Sequence, residues 1–209
     1  IRDSHRTFVG HVYYGRRVRG QDLRYLLRTG EAPFVPSENE RERCSFYDTF
    51  PSEYSGNGVG DYRESSIAVR TQAGQHAVMP TYVSYEITDQ KPELPGLPSA
   101  FDRENAAQTL ILHCRDEVLQ LDVDLYYTVF EENDMITRSV RICNHSKEAV
   151  YLTKAYSACL DMDDDGYEML TLHGSWARER QMDRRPIGYG KTSVGSCLLY
   201  TSDAADDLI

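Results

Sequence analysis

The sequence predicts an all-β fold of antiparallel strands packed as a sandwich. Period-two alternation of apolar and polar residues dominates its second half. Successive alternating runs are joined by short polar connections, as in an antiparallel meander. Only one short stretch has helical spacing, and no linker or repeat divides the chain into two domains.

"TFVGHVYYG" (7–15) opens as a strand candidate, rich in β-branched and aromatic residues. In "GQDLRYLLRTG", Leu23, Leu26 and Leu27 lie at helical spacing between Gly20 and Gly30, enough for one or two turns. Residues 31–64 and 88–105 mix proline, glycine and charge without a period and read as long loops, where binding residues tend to sit. "SIAVRTQ" (66–72), "TYVSYEI" (81–87) and "TLILHC" (109–114) are further strands. From Leu119, the residues Leu121, Val123, Leu125, Tyr127 and Val129 share one face, with Gln120, Asp122, Asp124 and Thr128 on the other. "EEND" (131–134) breaks this strand, and Ile136, Val140 and Ile142 resume opposite Thr137, Ser139 and Arg141, which makes a hairpin. "NHSKE" (144–148) is the next turn. Val150, Leu152, Tyr156, Ala158 and Leu160 mark a third strand with one polar intruder, Lys154.

The chain has 209 residues, is 40% hydrophobic and carries a formal charge of −10. The first two figures suit a packed core, and the third disfavours nucleic acid and anionic membranes as partners. No stretch approaches the roughly 18 apolar residues of a membrane span, and "IRDSHRTFVG" has neither an initiator Met nor the apolar core of a signal peptide. Cys44, Cys114, Cys143, Cys159 and Cys197 are widely spaced, without CxxC or paired histidines. No zinc site or cofactor is expected, and a reducing, cytoplasmic location is. Cys114, Cys143 and Cys159 read as small buried side chains in strands. "CLLYTSDAADDLI" (197–209) departs from the character of the rest and reads as translated sequencing-adapter read-through, so the domain is taken as residues 1–196.

Several motifs fail on spacing. Asp161, Asp163, Asp165 and Gly166 begin like a calcium loop, but position twelve is Leu172 rather than a glutamate. An acidic turn between strands is the simpler reading. "GYGKTS" (188–193) has Arg185 where a phosphate loop needs its first glycine, and "SGNGVGDYR" (55–63) has Asp61 where a dinucleotide fingerprint needs its third. His11, His76, His113, His145 and His173 form no cluster that spacing alone nominates as a triad.

Trp176, the single tryptophan, differs in kind. It sits in "LHGSWARERQMDRRP" among Arg178, Glu179, Arg180, Arg184 and Arg185. A flat apolar face with one N–H donor and charge around it suits a ligand that is apolar on one side and hydroxyl-rich at its rim, as a sugar is. A tryptophan buried as a core anchor fits the same text.

Four segments, "SEYSGNGVGDYR", "GLPSAF", "YYTVFEENDMITRSVRICN" and "LHGSWARERQMDRRP", stand in the order found in the N-terminal domain of the microbial α-galactosidases of glycoside hydrolase family thirty-six. The chain resembles that domain from about residue 8 to Ser196. The resemblance implies a β-supersandwich of the galactose mutarotase type, truncated here. It implies a parent that is a retaining exo-glycosidase removing terminal α-galactosyl residues from melibiose- and raffinose-type oligosaccharides. The catalytic Asp pair would belong to a following (β/α)₈ barrel, so no catalytic residue is assigned to this chain, and residues 1–196 alone are expected to be inactive. The resemblance also implies that Trp176 contacts the sugar. Glu31, in "GEAPFVP" ahead of Phe34 and Pro36, would reach a neighbouring subunit's pocket in a homotetramer, where the family usually has Asp. Arg178, Arg180, Arg184 and Arg185 would brace the domain against the barrel or a neighbour. The rival readings are a stand-alone carbohydrate-binding module and a purely structural sandwich with Trp176 buried.

Overall fold

The alternating runs become strands because period two turns every apolar side chain of a run toward one layer. The computed structural model describes residues 2–3, 6–19, 22–26, 32–33, 44–45, 47, 49–97, 99–101, 107–162 and 164–195. Two short pairs come first, β1 (Arg2–Asp3) with β2 (Arg6–Thr7) and β3 (Ala32–Pro33) with β4 (Cys44–Ser45). The long strands are β5 (Ile67–Thr71), β6 (Thr81–Thr88), β7 (Gln108–Asp116), β8 (Leu121–Phe130), β9 (Met135–Asn144), β10 (Val150–Ala155), β11 (Glu168–His173) and β12 (Gln181–Pro186). Every pairing among them is antiparallel, so the all-β, antiparallel expectation holds. Leu23–Leu26 forms a single 3₁₀ turn where one or two helical turns are expected. The chain divides into two compact units, Ile1–Asp161 and Met162–Ile209, at an acidic run in which the sequence shows no linker.

In the first unit, β6, β7, β8 and β9 form a meander in that order, and β10 pairs with β5 as a second, two-stranded layer. Ile67 and Val69 of β5, with Tyr54 and Val78, pack on Cys114, Leu121, Val123 and Leu125 of the large sheet and on Leu119 between β7 and β8. At roughly 1.5–3 kcal/mol for each fully buried aliphatic side chain, this cluster is the main stabilising term of the unit. The second layer covers only part of the sheet: Tyr85, Ile87, Val129 and Ile136 remain exposed. On the opposite face, Lys91, Leu94, Ser99 and Ala100 meet Tyr126, Thr128 and Thr137 around a cavity of about 120 Å³. Thr109 and Thr128 are buried on that face and satisfy each other across β7 and β8 at 2.8 Å.

Four expectations need correction. The meander ends at β9, because after the Asn144–Glu148 turn the chain crosses to the second layer and pairs with β5, where Val150 packs on the core. A bulge between Leu152 and Lys154 explains the polar intruder: the extra residue sets Lys154 opposite Ala68 instead of the buried Ile67, and its ammonium meets Glu64. "TFVGHVYYG" is not a strand beyond Thr7. It docks on residues 50–53 through one bridge, Gly10 to Ser52, with His11 N–H donating to Pro51 O at 2.6 Å and Glu53 N–H to Val9 O at 3.0 Å. Leu119 is buried from a turn rather than from a strand; Asp116 holds that turn by accepting from the Val118 and Leu119 N–H groups, both at 2.9 Å, and Gln120 adopts φ 53°. Of the three cysteines expected inside strands, only Cys114 is buried; Cys143 is partly exposed on β9, and Cys159 lies in a loop.

Candidate functional site

Two of the conspicuous sequence segments meet inside the first unit. Glu53, only 7% exposed, lies in "SEYSGNGVGDYR", and Arg138 lies on the apolar face of β9 between Ile136 and Val140. Arg138 Nη1 stands 2.9 Å from Glu53 Oε1, and its Nη2 donates to the Tyr127 hydroxyl at 3.0 Å. Tyr127 donates that hydroxyl proton to Glu53 Oε1 at 2.7 Å, and the guanidinium carbon lies 4.4 Å from the Tyr127 ring centroid. His11 Nδ1 takes the second carboxylate oxygen at 2.9 Å. Burial, the Glu53 charge and the hydrogen bond to it hold the Tyr127 hydroxyl far above the usual tyrosine range, against the opposing charge of Arg138. Arg138 Nη1 also donates to Cys159 O at 3.4 Å, while both carboxylate oxygens of Glu53 are taken and offer nothing open to a substrate. It is a brace that ties the two segments together. The alternation reading passed over Arg138 because a single charge inside an apolar face leaves the period intact.

The glycine-rich part of the same segment is a turn-rich loop, as its failed fingerprint implies. Gly58 and Gly60 have φ 75° and 95°. Arg63 clamps the loop through Asp61, at 2.9 and 2.8 Å, and reaches Asp161 at 3.3 Å.

The sheet's outer face lines up Ser84, His113 and Asp124 on three neighbouring strands. His113 Nδ1 is 2.7 Å from Asp124, yet no hydrogen bond joins Ser84 to the ring, whose Nε2 faces Glu86 at 4.0 Å. A triad needs its nucleophile on its base, so this row is a surface charge ladder. His11, His113, His145 and His173 each stand by a carboxylate. No group of three metal-ligating side chains occurs among the described residues. Asp163 of the acidic run 161–166 lies outside the described residues, and Gly166 (φ 68°) fits a turn.

In the second unit, β11 and β12 form a hairpin with Glu168 opposite Pro186 and His173 opposite Gln181. The connecting turn, Ser175 to Arg178, is closed by Arg178 N–H donating to Ser175 O at 2.9 Å. Trp176 and Ala177 are its central residues. Trp176 is 93% exposed, so the indole anchors no core in this chain. Arg184 and Arg185 point to opposite hairpin faces, paired with Glu168 at 3.2 Å and with Asp183 respectively. Leu170, Leu172 and Met182 share the Arg184 face and are all exposed. Glu31, Phe34 and Pro36 lie outside the described residues, as do residues 196–209.

The fold is that of a glycoside hydrolase β-domain. It matches the crystal structure of the α-galactosidase AgaA of Geobacillus stearothermophilus with a TM-score of 0.82 and 31% identity, covering 89% of this chain and 26% of that one. The chain belongs to the glycosyl hydrolase family 36 N-terminal domain family, whose model matches residues 7–208. It is 37% identical over 191 residues to the bifunctional α-galactosidase/sucrose kinase AgaSK of Mediterraneibacter gnavus, and 38% identical over 186 residues to the α-galactosidase Mel36A of Lactobacillus acidophilus. These alignments take in 90% and 87% of this chain but 20% and 25% of the relatives. Variants of AgaA have been solved in complex with raffinose and with stachyose.

Proposed function

We propose that this chain serves as the N-terminal domain of a retaining α-galactosidase that hydrolyses terminal α-galactosyl residues of raffinose- and melibiose-type oligosaccharides. The observation that carries the reading is the family match over nearly the whole chain, shared with relatives that are α-galactosidases. In this reading bond cleavage belongs to a (β/α)₈ barrel outside the 209 residues, and the domain shapes the sugar pocket. Trp176 supplies a rigid aromatic wall for a galactosyl ring, a role supported by its exposure on a closed turn. Glu31 reaches a neighbouring subunit's pocket in a homotetramer. The thiols of Cys114, Cys143 and Cys159 are free, which supports a cytoplasmic location.

The test is a chimera in which residues 7–195 replace the matching part of AgaA. It is expected to hydrolyse raffinose while the 209-residue chain does not, and Trp176→Ala is expected to raise KM about tenfold, the scale of one lost aromatic contact. Cleavage of raffinose by the chain itself would overturn the assignment, and an unchanged KM would remove Trp176 from the pocket. An exposed indole also suits a self-standing binding module. Calorimetry of the 209-residue chain with raffinose separates the two readings, since millimolar or tighter binding favours the module.

A further inference from the structure

The turn that carries Trp176 is held in a conformation its own residues disfavour. A four-residue turn whose third residue has positive φ and whose second does not is of the type II class, in which that third position favours glycine or asparagine. Here it is Ala177, with φ 63°, while Trp176 is not among the residues of positive φ. An alanine in that region is disfavoured, since its Cβ crowds the neighbouring carbonyl. Relative to the commoner type I turn, the Trp176–Ala177 peptide is flipped, so the Ala177 N–H points to the opposite side of the turn. Something on that side must select the flip.

Glu179 is that group. Its Oε1 accepts the Ala177 N–H at 2.9 Å from two residues downstream. The chain then turns back into β12 through Arg180, itself at φ 61°. Gly174 makes room for this arrangement: a Cβ there would lie 2.4 Å from Arg178 O and 2.8 Å from Glu179 Cα. A charge-assisted bond to a backbone N–H is among the stronger hydrogen bonds available to an exposed carboxylate.

We infer that Glu179 is a positioning residue for Trp176: its carboxylate holds the Trp176–Ala177 peptide flipped and thereby sets the direction in which the indole is presented. The part of this inference that concerns substrate rests on the proposed sugar contact of Trp176; the part that concerns the turn does not. Glu179 touches no sugar and acts through the turn alone. Glutamine keeps the acceptor and alanine removes it, and glycine at 177 lowers the cost of the positive φ and substitutes in part for the missing bond.

Nuclear magnetic resonance of the 209-residue chain reads the flip directly, because the Trp176 Hα to Ala177 amide contact is short in a type II turn and long in a type I turn. The expected result is a strong cross-peak in the parent and in Glu179→Gln, a cross-peak weakened at least about threefold in Glu179→Ala, and partial recovery in Glu179→Ala combined with Ala177→Gly. In the AgaA chimera, Glu179→Ala is expected to raise the raffinose KM about fivefold with kcat within about twofold, and Glu179→Gln to leave both near the parent values. An unweakened cross-peak in Glu179→Ala overturns the inference. So does a KM that rises with Trp176→Ala but not with Glu179→Ala. If Trp176→Ala leaves KM unchanged, the sugar contact fails instead, and the cross-peak alone decides the role of Glu179 in the turn.

Discussion

At the scale of single residues, one arginine shows what alternation cannot convey. Arg138 occupies a position on β9 where the pattern asks for an apolar side chain, and Glu53 sits in a loop with no period at all. Neither residue advertises its partner; only the fold brings them to 2.9 Å. Both side chains are close to nine-tenths buried, so removing one leaves an uncompensated charge in the interior. Arg138→Met is therefore expected to destabilise the first unit by about 3 kcal/mol in a denaturant titration. Adding Glu53→Met is expected to restore a good part of that loss, because an apolar pair of similar volume needs no compensating charge. A double variant as unstable as the sum of the two single ones would contradict this account. Trp176 was legible as an exception in composition, but its exposure was not, since the same letters suit a core anchor.

At the scale of elements, β8 and β9 were readable because their alternation persists, β7 was readable from its apolar, β-branched content, and "EEND" closes the β8–β9 hairpin with Asp134 at φ 49°. What failed was partnership. Val150 to Leu160 reads as the next strand of a meander, yet β10 joins β5, a non-local choice made by the core rather than by the connection. The segment from Phe8 to Gly15 has the residues of a strand, but the only extended neighbour it finds among the described residues is the loop at 50–53. The glycine loop that follows carries its own test. A Cβ on Gly56 would stand 1.8 Å from Val78 O and 2.8 Å from its carbonyl carbon, both backbone atoms that cannot swing aside. Gly56→Ala is expected to cost about 3 kcal/mol, measured by chemical denaturation, whereas Gly188→Ala, with nothing within 4 Å, is expected to be near neutral. Equal stability of the two variants would show that the loop lifts off the core freely.

At the scale of the whole molecule, three acidic groups in the first unit are neutral in the fold and resist losing their protons. Burial pushes the Tyr54 hydroxyl and the Cys114 thiol up to about 12, with Arg138 opposing the first and Asp124 adding to the second. Tyr127 is raised as well. A raised folded value means that the unfolded chain releases these protons first. The stabilisation is therefore fully present below about pH 8 and is lost as pH climbs to about 12, beginning near 9 where the unfolded thiol ionises and near 10 where the unfolded tyrosines do. Alkaline titration followed by tyrosinate absorbance and circular dichroism is expected to show most of the fifteen tyrosines ionising smoothly and the remainder appearing only as the β signal collapses. A single smooth wave with an intact β signal would refute it. The overall class was open to sequence reasoning because it depends on pattern alone, whereas the division after Asp161 was hidden in an acidic run resembling any other turn.

The pairing of Glu53 with Tyr127 spans 74 residues of chain. During synthesis the ribosome delivers His11 and the acid long before Tyr127 and Arg138, so half of this network waits for its other half while β5, β6 and β7 emerge behind it. Sealing of this interior is thus deferred until β9 has left the exit tunnel, and the order of translation makes Arg138 the residue that closes it.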